Sequence, residues 1–300
     1  MITQEKIINK MDNKSVKIVQ GISKVLRFFN SLIPFKITIS SDSQMADYIY
    51  LTICKQDDFD MVAASVYTLY KNSSLIPKKI CLISDGSWEL AVGIEYFKKY
   101  GLNIEAKKWE CCASYYHDKC PQLEKWAQNH VWGKKMASIL YYSETDRVLF
   151  SDPDVLWYGT PLTGEEISSI NFKVSIDNSH NYDNNCIKNL GYEFLYTKNE
   201  PINCGVIFIH GGLKLLSDKS LKCINFESEH FGNFAEQTVF ALMHEDYNCT
   251  WTMEEITSEI TDIFPRLFKK TIFYDNMFAR HYLWFLKWIY WKDFLKQRFL

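Results

Sequence analysis

Three apolar runs, Tyr48 to Cys54, Lys79 to Ser84 and Leu102 to Lys107, alternate with two stretches of helical spacing, Phe59 to Tyr70 and Trp88 to Tyr100. A strand followed within a few residues by a helix and then by another strand closes a right-handed crossover, so the strands lie parallel and are buried on both faces. The punctuation agrees, since Asp85-Gly86 is a turn pair after the second run and Gly101 stops the second helix. The expectation is a doubly wound α/β beginning. Further on, Phe172 to Ile176 and Ile202 to His210 read as strands, the first ending at Asp177 and the second at a Gly-Gly pair. Residues 121 to 143 read as helical with a break near Gly133. The polar, Asn-rich residues 178 to 200 read as an insertion that shapes an acceptor site or forms a lid. A chain of 300 residues, 47% hydrophobic, can fill one large domain of this kind.

The run Arg147-Val148-Leu149-Phe150 leads into Ser151-Asp152-Pro153-Asp154, which sets two carboxylates where a buried strand ends. Ligands of open α/β sheets bind outside those carboxyl ends. Two hard oxygen ligands at one point suit Mg2+ or Mn2+, cations that leave positions for water and substrate phosphate. The pattern therefore points to a metal-bound diphosphate. The competing reading is a plain turn, for which Asp-Pro-Asp is ordinary chemistry.

With 34 basic and 36 acidic residues, the overall charge gives no reason to expect nucleic acid as a partner. The charge is uneven, because residues 266 to 300 carry eight Lys or Arg against two Asp, interleaved with twelve aromatic residues. That end can face phosphate, anionic lipid or both. Nine scattered cysteines indicate reduced thiols rather than a disulfide framework. Together with an opening Met-Ile-Thr-Gln-Glu-Lys that lacks the pattern of a signal peptide, they indicate a cytoplasmic location. Cys111, Cys112, His117 and Cys120 cluster in sequence, but their spacing matches no established zinc pattern.

The apolar positions Val16, Val19, Ile22, Leu26, Phe29 and Ile33 lie at helical spacing and stop before Pro34. Residues 1 to 40 are accordingly read as a helical extension, 41 to 288 as the catalytic domain and 289 to 300 as a basic aromatic tail. The helix is read chiefly as docked on the domain, with a membrane-surface role as the alternative. The tail is expected to contact anionic membrane at its inner face.

Several short motifs follow one another in a fixed order. They are Trp-Gly-Lys134-Lys135-Met-Ala, Ser-Asp152-Pro-Asp154, Val-Ser-Ile-Asp177, Ile-Asn203-Cys-Gly205-Val-Ile-Phe, Phe-Ala-Glu236-Gln237-Thr, and His281 with Lys287 six residues on. In this the chain resembles the GT-A glycosyltransferases, and among them the retaining galactosyl- and glucosyltransferases of glycosyltransferase family 8, over residues 48 to 288. The resemblance implies a GT-A fold, a mixed and mostly parallel sheet flanked by helices. It implies transfer of a hexose from a nucleoside diphosphate sugar, with uridine as the base, to a glycan or lipid-linked acceptor, as in polysaccharide biosynthesis.

By the same resemblance Asp152, Asp154 and His281 hold Mn2+ or Mg2+. Lys135, with Lys134 as competitor, touches the donor, and Lys287 neutralises the diphosphate. Asp177, Asn203 and Glu236 bond sugar hydroxyls, and Gln237 lies beneath the anomeric carbon. A neutral carbonyl there fits same-face attack by the acceptor, hence retention. The alternatives are an inverting transferase with Glu236 as base, or an inactive nucleotide-sugar-binding partner subunit. Thr52, Asp58 and Asp85 are nominated for the base and ribose, although Asp85 also reads as a turn residue. The chain departs from the family at Trp284, where a Gly is expected, and in running Lys287-Trp288 without a Pro, so that the closing loop is expected to be rebuilt as a helix.

Overall fold

The structure is a computed structural model, and it describes residues 13–198, 200–258, 274–283 and 287–299. The first three βα units form as the apolar runs require. Strand β1 (Gln44–Cys54) leads through a short turn into helix α2 (Phe59–Asn72), then come β2 (Leu75–Ser84), α3 (Leu90–Lys98) and β3 (Ile104–Lys108). A helix, Asn13–Leu32 (α1), precedes them. The chain continues through α4 (Trp109–Ser114), α5 (Pro121–Asn129), α6 (Val131–Ser143), β4 (Val148–Ser151) and β5 (Val155–Trp157). Next come α7 (Gly164–Ser169), β6 (Phe172–Ile176), α8 (Asn184–Leu190) and β7 (Ile202–Ile209). The last elements are α9 (Asp218–His230), α10 (Ala235–Tyr247), β8 (Thr250–Trp251), β9 (Ile256–Thr257), β10 (Ala279–His281) and α11 (Lys287–Phe299).

Seven strands form one sheet in the order β3-β2-β1-β4-β7-β6-β8. All neighbouring pairs are parallel except those of β7, which runs antiparallel to both β4 and β6. This is the mixed, mostly parallel sheet flanked by helices that the sequence leads one to expect. Helices α5, α6 and α10 close one face around Trp126, Ile139, Phe150 and Phe240, and α2 and α3 close the other around Val62, Phe97 and Leu149. A small second sheet, β5-β10-β9, stands beside the end of β4.

The helical segment 121 to 143 breaks at His130, three residues before the expected point, because His130 is extended and caps α6 from its side chain. Gly133 lies inside α6 instead. A Cβ there would come within 2.4 Å of the Trp126 carbonyl carbon, so glycine lets α5 and α6 touch backbone to backbone. Helix α1 docks through Val19, Ile22 and Leu26 on a cluster shared with α2 and α11. Asn30 Nδ2 donates to the Trp291 carbonyl at 3.0 Å, and Arg27 pairs with Asp60. Phe29, read from its spacing as part of the docked face, is 52% exposed.

Candidate active site

Strand β4 ends at Ser151, and Asp152 follows it, its amide donating to the Gly205 carbonyl of β7 at 2.8 Å. Pro153 turns the chain, and β5 starts at Val155 directly after Asp154. In the small sheet His281 sits opposite Val155, and the Tyr282 amide donates to the Asp154 carbonyl at 2.9 Å. Residues far apart in sequence thus converge through strand pairing. His281 Nε2 lies 3.2 Å from Asp154 Oδ1 and 3.7 Å from Asp152 Oδ2. Among the described residues, the groups of His, Cys, Asp or Glu that gather ligand atoms within 4.8 Å of one another are Asp152-Asp154-His281 and Cys186-Cys223-Glu227. Cys111, Cys112, His117 and Cys120 form no such group, and His117 Nδ1 lies 2.8 Å from Glu124 instead.

The imidazole is held from behind. Asn203 Oδ1 lies 3.2 Å from His281 Nδ1 and accepts from the Gly205 amide at 2.8 Å. Asn203 Nδ2 donates to Asp177 Oδ2 at 3.1 Å. Asp177 in turn accepts from the Asn178 amide and the Ser258 hydroxyl. Because the Asn203 amide is oriented by Asp177 and by Gly205, its oxygen faces the ring. Nδ1 then carries a proton, and Nε2 faces the two carboxylates, which favour the imidazolium until a cation takes the Nε2 lone pair in place of that proton. A ring so oriented, with two hard oxygens, fits Mn2+ well and Mg2+ less well. The backbone makes room for this by a bulge. Val174 pairs with Ile207 whereas Ser175 pairs with Asn203, so β7 bows out over Cys204 to Val206, and the Ser175 hydroxyl bridges the gap to the Asn203 carbonyl.

Two ammonium groups flank the carboxylates. Lys135 projects from α6, 3% exposed, with Nζ 3.0 Å from Asp152 Oδ1 and 3.7 Å from Glu236 Oε1. Lys134 takes another direction, donating to the Asp85 carbonyl at 2.9 Å and covering the Trp109 ring. Lys287 is the first residue of α11, and its Nζ lies 2.9 Å from Asp154 Oδ2. Of the closing loop expected to be helical, Tyr282 and Leu283 are not, and residues 284 to 286 lie outside the described residues. Burial alone would raise the Asp154 carboxyl, but Lys287 and His281 outweigh it and hold the group well below the usual range. Burial would lower Lys135, but Asp152, Cys204 and Glu236 outweigh it and keep the ammonium firmly charged.

Behind Lys135 lies a group that the sequence reading did not single out. The Cys204 thiol is buried, 3.6 Å from Lys135 Nζ and 3.2 Å from Glu236 Oε1, with Gln237 Oε1 at 3.6 Å. Strand alternation was the available signal, because in Asn203-Cys204-Gly205 the middle side chain must face away from the other two. Glu236 is 3% exposed, and burial pushes its carboxyl upward. Gln237 Nε2 donates to the Asn181 carbonyl at 2.9 Å, tying α10 to the 178 to 200 insertion. Thr52 is fully buried within β1, its hydroxyl without a partner among the described residues. Asp85 caps its own turn by accepting from the Ser87 amide at 2.9 Å. Asp58 stands at the start of α2, where burial raises its carboxyl and Lys287 partly offsets the rise.

No family model matches the sequence, and no curated protein is significantly similar to it. Among solved structures, the chain is similar to mouse xyloside xylosyltransferase 1, at 12% identity and a TM-score of 0.49, over 79% of this chain and 97% of that one. It is similar to the galactosyltransferase LgtC in complex with donor and acceptor sugar analogues, at 13% and 0.47, over 79% and 87%. A third likeness is to the glycosyltransferase GlyE of Streptococcus pneumoniae TIGR4, at 12% and 0.45, over 85% of this chain and 63% of that one, so this chain spans less than two thirds of GlyE.

Proposed function

We propose that the chain is a metal-dependent glycosyltransferase that moves a hexose from a nucleoside diphosphate sugar, with uridine as the base, to a glycan or lipid-linked acceptor with retention of configuration. The observation that carries this reading is the cluster of Asp152, Asp154 and His281 at the strand ends, with Lys135 and Lys287 on either side. Asp152, Asp154 and His281 would hold Mn2+ or Mg2+, which supplies positive charge against a departing diphosphate. Lys287, whose side chain is about a third exposed, can turn from Asp154 to a diphosphate oxygen as a point charge. Lys135 is too deeply buried to travel. It holds the Asp152 carboxylate in place.

The sugar half of the reading rests on Gln237 and Glu236. Gln237 offers a neutral carbonyl oxygen, suited to stabilising positive charge at an anomeric carbon and poorly suited to a durable covalent intermediate. Glu236 is paired with the Lys135 ammonium and accepts from the Cys204 thiol, which disfavours it as the base of an inverting reaction. Asn203 bonds both Asp177 and His281 here. Their first duty in this reading is therefore to orient the imidazole, and only the faces left open can meet a sugar hydroxyl.

The test is a screen of nucleoside diphosphate sugars for Mn2+-dependent hydrolysis, followed by NMR of the product formed with an acceptor. Hydrolysis that disappears in Asp154→Ala, with the donor's anomeric configuration kept in the product, is the expected result. Nucleotide-sugar binding without turnover would instead support an inactive partner subunit, and an inverted product would return Glu236 to the role of base.

A further inference from the structure

The outer face of α1 is apolar and uncovered among the described residues. Ile18, Val25, Phe28, Phe29 and Leu32 are each more than half exposed, up to 61% for Ile18. They recur at intervals of three, four and seven residues and so form one stripe along the helix. The opposite face is occupied by the contacts of Val19, Ile22 and Leu26 with α2 and α11. Exposed Lys17 and Lys24 border the stripe, and Lys36 follows beyond the helix. From residue 13 to residue 40 the chain carries five Lys or Arg and no Asp or Glu. The end of α11 joins this surface, because Arg298 Nη1 donates to the Asn30 carbonyl at 3.0 Å, which sets the 71% exposed Phe299 beside the end of α1.

We infer that this face docks the protein on an anionic lipid bilayer, with the aromatic and aliphatic side chains entering the headgroup boundary and the lysines meeting lipid phosphates. Apolar residues bordered by lysines on a helix lying flat are the pattern that such surfaces select. Charge complementarity decides between the occupants. A second copy would set Lys17, Lys24 and Lys36 against their own equivalents, a repulsive arrangement, whereas an anionic headgroup layer neutralises them. The structure also shifts the expected contact, since Tyr290, Trp291 and Phe294 of the C-terminal tail are buried against α1 and α2. Helix α11 runs from Lys287 at the carboxylate cluster to Phe299 at this face, about 18 Å at 1.5 Å per residue. A docked molecule would therefore hold its candidate site near the bilayer surface, within reach of a lipid-linked molecule. The inference does not depend on sugar transfer.

The test is co-sedimentation of the full chain with vesicles of phosphatidylglycerol and phosphatidylcholine, and with phosphatidylcholine alone. The wild type should bind the anionic vesicles, release as salt rises, and bind the neutral ones far more weakly. Replacing Val25, Phe28 and Phe29 together by Ser should lower the partition coefficient on anionic vesicles by about tenfold or more, with an unchanged melting temperature because the three side chains are exposed. Failure of the wild type to bind, or equal binding by the triple variant, overturns the inference. So does a wild-type dimer in ultracentrifugation that the triple variant converts to monomer, since the occupant would then be a second copy.

Discussion

Gly205→Ala is the sharpest perturbation the structure offers. Gly205 has no positive φ, so alanine is acceptable to the backbone and the whole effect is one of space. The added Cβ would lie 2.2 Å from His281 Cε1, 2.3 Å from Nδ1 and 2.9 Å from Asn203 Oδ1. To reach an ordinary contact of 3.4 Å the ring must retreat by about 1.2 Å, which breaks its bond to Asn203 and moves Nε2 off the two carboxylates. Overpacking of this kind costs about 1–3 kcal/mol of stability. Loss of an orienting partner weakens a metal site by about 10- to 100-fold. Both effects can be read on one sample, by urea denaturation and by Mn2+ titration followed by EPR. In a His281→Ala background the two closest contacts are gone and that to Asn203 Oδ1 at 2.9 Å remains, so the stability penalty of Gly205→Ala should shrink without vanishing. A folded Gly205→Ala protein with wild-type Mn2+ affinity would refute the proposal that His281 is held in place for a cation.

Three further outcomes follow from contacts elsewhere. Lys135→Met should destabilise the fold by about 3 kcal/mol, since it leaves Asp152 and Glu236 beside each other without their cation. Adding Glu236→Gln should recover part of that loss in urea titrations, and no recovery would contradict the shared pairing. Gly133→Ala presses a methyl against the Trp126 backbone, which cannot rotate away, so its melting temperature should fall further than that of Gly164→Ala, where nothing lies within 4 Å. Burial, with help from Asp183, raises the Glu227 carboxyl from 4.5 to about 7 against the pull of the Gly232 amide. Between those values the folded chain keeps a proton that the unfolded chain has released, so stability falls as pH rises from 4.5 through 7. Glu227→Gln should match the wild type near the bottom of that window and exceed it above the top, and an equal difference at both ends would refute the assignment.

Elements governed by local pattern were legible in the sequence. Phe172 to Ile176 was read to the residue, and α2 to within two residues, because apolar periodicity and turn residues define both. The carboxylate pair was legible for the same reason, as a polar doublet after a buried run. What the sequence hid is set by partners far along the chain. His281 meets Asp154 because β10 pairs with β5, and neither strand is long enough to show a period, so the resemblance alone, and no local pattern, set His281 with the two carboxylates. The β7 bulge depends on its pairing with Ser175, so the inward turn of Asn203 could not be read in advance, although alternation along the strand sets Cys204 on the opposite side from it. Lys134 and Lys135 differ by about 100° around α6, and the burial of one face of that helix decides which of them reaches Asp152. Phe29 lies at the edge of the helical stripe, where spacing alone does not separate a docked position from an exposed one.

If Asp152, Asp154 and His281 hold the cation that anchors a nucleoside diphosphate, Mn2+ EPR in the presence and absence of UDP will detect it. One bound Mn2+ per chain, tightened by UDP and lost in Asp154→Ala with the fold intact by circular dichroism, is the expected outcome. Mn2+ binding that is equal in the wild type and Asp154→Ala, or that is indifferent to UDP, would contradict it.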